Sequence, residues 1–154
     1  MAVPVNLNRP FDPRLFLMDQ ELDRAAGLLL AGANALAKAG ESARKKAGLS
    51  KPELQILMAV RYRPGQTVGE LRTALGMTVP TFARLIGQLD SRGLIERARE
   101  TSDARRRKLT LSDAGVTLTT PIAIEVRERL RLAFRASGPE AAAGVRTLLE
   151  SLVK

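Results

Sequence analysis

The chain contains no cysteine and no histidine among its 154 residues. Without cysteine there is no disulfide framework, no thiol redox trigger and no thiolate metal site. Without histidine, most zinc sites go too, along with imidazole acid–base chemistry and an imidazole pH switch. Aromatic residues are scarce, at 3%. A core must therefore be built from Leu, Ala, Val and Ile, and the Ala and Leu runs favour helix. No phosphate-cradling glycine loop, dinucleotide fingerprint or nucleophile elbow is present. Carboxylate-only catalysis survives these absences, but nothing in the chain sets up a nucleophile, a base or a metal. The expectation is a protein that is not an enzyme and takes no cofactor. A secretory signal is not expected either, because Asp12, Asp19, Glu21 and Asp23 precede the first apolar run. The uncharged stretch 25–37 is too short to span a bilayer, so the expected location is the cytoplasm.

What the chain does have is positive charge and helix-forming apolar residues. Lys and Arg number 25 against 16 Asp and Glu, a net charge of +9, and hydrophobic residues make up 45%. That balance suits a polyanionic partner. The acidic first turns argue against an anionic membrane surface.

Residues 1–11 read as a loose arm. Asp12-Pro13 reads as a helix start, with Asp as cap and Pro at the first helical position. Apolar residues at helical spacing predict one long helix from there to about Lys46, ended by Gly48. Ser50-Lys51-Pro52-Glu53 and Thr67-Val68-Gly69-Glu70 are capping boxes, each opening a helix. Thr78 is expected to cap a third, with Val79, Phe82, Leu85, Ile86 and Leu89 as its buried stripe. Two short strands follow, 94–99 and 105–111, around a polar turn. Ser112 then caps a helix that Pro121 should kink, and Ser137-Gly138-Pro139-Glu140 restarts the chain for a last helix. The predicted class is mainly α with a small β-hairpin. In domains, this is an arm (1–11), an N-terminal dimerisation helix (12–48), a winged helix-turn-helix (49–111) and C-terminal dimerisation helices (112–154).

Two helices joined by the tight turn Leu75-Gly76-Met77-Thr78 form a helix-turn-helix. In such modules the second helix enters the major groove, and residues near its N-terminus reach base edges. Here those are Thr78, Pro80, Thr81, Arg84 and Gln88. Arg and Gln make bidentate base contacts, and Thr meets phosphate or a thymine methyl. A helical hairpin with a solvated polar face has the same pattern. The hairpin that follows tips the balance, because it carries Arg97, Arg99, Arg105, Arg106, Arg107 and Lys108. Residues 61–108 hold 11 basic and 5 acidic residues, +6 of the chain's +9. A basic hairpin directly after a recognition helix is a wing, able to follow phosphates or insert Arg into a narrow minor groove.

These residues resemble the multiple antibiotic resistance regulator (MarR) family of winged helix-turn-helix transcription factors. The likeness runs from Leu49-Ser50-Lys51-Pro52-Glu53-Leu54 through 67–71 and 85–97. It continues to the wing signature Asp103-Ala104-Arg105-Arg106 and then 109–115. It departs at Phe82-Ala83, where family members often carry small hydroxyl residues. The resemblance implies a homodimer with intertwined terminal helices on a pseudo-palindromic double-stranded operator, more often as repressor than activator. Arg105 matches the wing-tip arginine, Asp103 the acidic residue bracing the wing, and Arg84 an exposed recognition-helix position.

The apolar ends agree with a dimer. Leu15, Leu22, Leu29 and Leu36, with Leu148, Leu149 and Leu152, have too little partner surface within one small module. Packing on one another within a monomer is the alternative. The resemblance further implies an effector pocket between dimer helices and winged module. Arg61, Tyr62 and Arg63 are its candidates, the arginines to receive a carboxylate. Read alone, the arginines serve equally as phosphate contacts or solvated charges, and Tyr62 as packing. The competing function is a winged-helix protein-interaction module with only non-specific DNA affinity.

Overall fold

The computed structural model describes residues 12, 14, 16–99 and 107–153. Seven helices and a two-stranded antiparallel sheet are formed among them. The helices are α1 (Asp19–Ala39), α2 (Glu41–Lys46), α3 (Lys51–Tyr62), α4 (Val68–Ala74), α5 (Val79–Ser91), α6 (Asp113–Ser137) and α7 (Pro139–Leu152). The strands, β1 (Ile95–Arg99) and β2 (Arg107–Leu111), sit between α5 and α6. Ile95 faces Leu111 and Arg99 faces Arg107 across the ladder. The mainly helical fold with a β-hairpin is the one the sequence predicts.

Both capping boxes form. Ser50 Oγ accepts from the Glu53 N–H while Glu53 Oε2 accepts from the Ser50 N–H at 2.8 Å. Thr67 and Glu70 repeat the exchange at the start of α4. Each satisfies two amide groups that a helix start otherwise leaves without a partner. Ser112 caps α6 by accepting from the Gly115 N–H at 3.0 Å.

Several expectations change. The Asp12 carboxylate accepts from the Arg14 backbone N–H and guanidinium. The first helix starts at Asp19, behind a Met18 that offers no side-chain cap. That helix is also broken at Gly40, into α1 and α2. A side chain at Gly40 would stand 2.7 Å from Ile122 Cγ2, so the break is where the chain bears directly on α6. Thr78 occupies the N-cap position of α5, but its hydroxyl meets the Thr81 hydroxyl at 3.0 Å instead of a helix amide. Val79 is 63% exposed, while Phe82, Leu85, Ile86 and Leu89 are buried as expected. Pro121 lies within an unbroken α6.

One apolar core collects α3, α4, α5 and the hairpin through Ile56, Leu57, Leu71, Leu89 and Leu109. It also takes in Ala43 of α2 and Ile122 of α6. The first half of α6 therefore packs into the winged module. α7 buries no residue, and α1 buries only Glu21, which lies 3.9 Å from Arg24.

Two carboxylates tie local structure to pH. Glu41, bonded by the Arg44 guanidinium, is held down to about 2 from 4.5. For Glu53, burial pushes the carboxyl up, but the Ser50 hydroxyl and N–H and the Arg92 guanidinium at 3.1 Å bring it net below 4.5. Groups depressed in the folded state contribute stability that is complete above the unfolded pKa and lost as pH falls through the folded one. The urea midpoint is therefore expected to fall as pH drops below about 4.5. Glu53→Gln should cost about 1–2 kcal/mol at neutral pH and flatten that acid dependence. A variant with the parent's acid profile would show that the capping network contributes nothing to it.

Candidate nucleic-acid interface

The interface is built on α4 and α5. Leu71 of α4 and the buried stripe of α5 enter the same apolar core, and Gly76 turns the chain between them at φ +61°. A residue with a side chain is strained at that backbone angle, so glycine is required by the turn. The opposite face of α5 is left exposed. Thr78, Pro80, Thr81, Arg84 and Gln88 all lie there, as the sequence predicts. Arg84 Nη1 donates to Gln88 Oε1 at 3.0 Å, so two groups able to read bases are already aligned one turn apart.

The hairpin is tied down at three places. Arg97 Nη2 meets Asp90 Oδ2 at 3.0 Å, joining β1 to the end of α5. Leu109 N donates to Gln66 O at 3.1 Å, Gly65 N donates to Leu109 O at 3.3 Å, and Thr67 bridges Lys108. The segment before α4 thus pairs with the free edge of β2. At the hairpin base, Ser112 N donates to Leu94 O at 3.2 Å and Ser112 Oγ to Gly93 O at 2.5 Å. Arg99 and Arg107 face each other in the strand register. Asp103, Arg105 and Arg106 lie outside the described residues.

Sequence reasoning missed Asp90 as the partner of Arg97. It also missed a groove of about 300 Å³ lined by Val68, Arg72, Val79, Phe82, Ala83 and Arg97. Val79 looks like a stripe residue by spacing. Only the position of α4 decides that it borders an opening.

The residues proposed as an effector site separate. Arg61 Nη1 donates to Thr119 Oγ1 at 2.9 Å and to Val116 O at 3.2 Å, and Nη2 donates to Thr120 Oγ1 at 3.2 Å. Its guanidinium is committed to α6. Tyr62 and Arg63 are exposed. Of the apolar terminal residues, Leu22, Leu29, Leu148, Leu149 and Leu152 are exposed by 36–62% and Leu36 is half-buried, while Leu15 lies outside the described residues. Among the described residues there is no cluster of His, Cys, Asp and Glu able to hold a metal, and no helix long and apolar enough to cross a membrane.

The sequence pattern of the MarR family matches residues 47–106, the span that carries α3, α4, α5 and β1. Over that span the chain is similar to the MarR family. The HTH-type transcriptional regulator PetP of Rhodobacter capsulatus is 36% identical over 94 residues, which are 61% of this chain and 57% of PetP. The transcriptional regulator HosA of Escherichia coli is 31% identical over 67 residues, 44% of this chain and 50% of HosA. The chain thus spans about half the length of the curated relatives it matches. The fold likeness is broader. NadR in complex with 4-hydroxyphenylacetate superposes with a TM-score of 0.74 at 24% identity, covering 84% of this chain and 91% of NadR. A mutant MepR from Staphylococcus aureus bound to an oligodeoxyribonucleotide gives 0.55 at 18% identity, covering 84% of this chain and 95% of MepR. The fold likeness therefore extends well past the matched segment into the terminal helices.

Proposed function

We propose that this MarR-family chain is a homodimeric transcriptional regulator, a repressor, that binds a pseudo-palindromic site in double-stranded DNA. The observation that carries the reading is the exposed face of α5, with Thr78, Thr81, Arg84 and Gln88, braced through Arg97 and Asp90 to a basic hairpin. The face supplies base-reading donors and acceptors, and the hairpin supplies charge for phosphates or the minor groove. A DNA-bound structure among its fold neighbours is consistent with this.

Dimerisation through α1 and α7 is supported by their exposed leucines, since a monomer would leave that surface in water. Two copies would then present two recognition helices to two half-sites. Release by a small aromatic acid is the effector reading. It draws on the 4-hydroxyphenylacetate in NadR and on Arg63 and Tyr62 at the end of α3.

The test is selection of bound duplexes from a random DNA pool at near-physiological salt. An inverted repeat with half-site centres about 10 base pairs apart is expected, bound about 10³-fold or more above random DNA. A pool without enrichment would overturn the specific reading and leave the alternative, a protein-docking module with charge-driven DNA affinity.

A further inference from the structure

α6 joins two parts of the molecule. Its first half is packed into the winged core through Gly115, Thr119, Ile122 and Ala123, and no residue beyond Ala123 is buried. Its second half runs out toward the terminal helices. Pro121 stands at the junction. Proline has no N–H, so the carbonyl one turn earlier, at Thr117, loses its helical partner and that turn is the weakest of the helix. The hydroxyls of Thr119 and Thr120 bond back to Gly115 O at 2.8 Å and Val116 O at 2.7 Å, a pattern that favours bending. Arg61 reaches this turn from α3, 55 or more residues away in sequence, and bonds Val116 O and both threonine hydroxyls.

We propose that Arg61 is a positioning residue: it staples the proline-weakened turn of α6 to the winged module and so sets the angle at which α6 leaves it. The inference rests on the dimeric DNA-binding reading above. In a dimer joined through the terminal helices, that angle fixes the separation of the two recognition helices. From Pro121 to Ser137 the helix is about 24 Å long. A change of about 10° at the pivot would move its far end by about 4 Å, comparable to the 3.4 Å rise of one base pair. A planar guanidinium bonding three oxygens suits the task, because it resists rotation in a way a single ammonium contact cannot.

The experiment uses the full chain and the duplex recovered by selection, remade with half-site spacing changed by one and two base pairs in each direction. Binding is measured beside a random duplex and beside the dimer's size by light scattering. Arg61→Ala is expected to remain dimeric, to lose roughly tenfold on the best spacing and to flatten the preference among spacings, with random-duplex affinity unchanged. Arg61→Lys should recover part of the affinity but not the sharp spacing preference. Should Arg61→Ala fail to fold, Thr120→Val removes one acceptor at similar volume and should show the same flattening at about threefold. Parent-like affinity and spacing preference in the folded variants would overturn the proposal. So would equal loss on all duplexes, which would make Arg61 a plain phosphate contact. If the parent selects no inverted repeat, the regulator reading itself falls and this inference with it.

Discussion

Gly115→Ala is expected to destabilise the protein by about 3 kcal/mol or more, a large share of the roughly 5–15 kcal/mol available to a domain of this size. The first turn of α6 passes so close to the hairpin base that a Cβ at Gly115 would lie 2.1 Å from the Leu94 carbonyl oxygen. That neighbour is backbone and cannot swing aside as a side-chain tip would. It is also committed, since Leu94 O accepts from Ser112 N at 3.2 Å. Relief of the clash must move either β1 or the start of α6, and either motion loosens the Ser112 contacts with Gly93 and Leu94 that hold the hairpin. Urea unfolding checks the stability. Gly87→Ala is the control, because open space surrounds Gly87 within α5 and alanine there should stabilise by up to about 1 kcal/mol. If Gly115→Ala matched Gly87→Ala, the close approach of α6 to the hairpin would be wrong.

Arg84→Ala is expected to cost about 1–3 kcal/mol per half-site on the selected operator, a loss of roughly 5- to 150-fold for each recognition helix. Affinity for random DNA should change little. Arg84 is exposed in mid-helix, on the face opposite the buried stripe, and its alignment with Gln88 presents a fork that matches a base edge. Repeating the random-pool selection with the variant should relax one symmetric pair of positions and leave the rest of the site intact. Arg105→Ala, in the wing signature, should behave differently. It should weaken binding on every sequence and reduce the salt slope by about one for each wing. If Arg84→Ala also weakened all duplexes evenly, Arg84 would be a phosphate contact and the base-reading face of α5 would have to be redrawn.

Most of the secondary structure was legible because its signals are local. Ser50 and Glu53, or Thr67 and Glu70, are three residues apart, and each pair closes its own hydrogen bonds whatever the rest of the chain does. The buried stripe of α5 and the exposure of Arg84 and Gln88 follow from helical period alone. Val79 escaped that logic because its spacing fits the stripe, while its surroundings depend on where α4 lies. The start of α1 was misread for a related reason: Asp12 has the chemistry of a cap, but its carboxylate goes to Arg14.

The amino-acid order by itself determined the helix-turn-helix, the basic hairpin after it, the absence of cysteine and histidine chemistry, and the family that residues 47–106 resemble. Each is written in neighbouring residues or in composition. Tertiary structure alone decided that Gly40 breaks the first helix against Ile122, that Asp90 is the partner of Arg97, and that Arg61 spends its guanidinium on Val116, Thr119 and Thr120. The last is the clearest case. An arginine near a helix end carries the same sequence signal whether it meets phosphate, a carboxylate ligand or another helix. Only the packing of α3 against α6 brings three oxygens within its reach, and hydrogen-bond distance, not residue type, selects among partners.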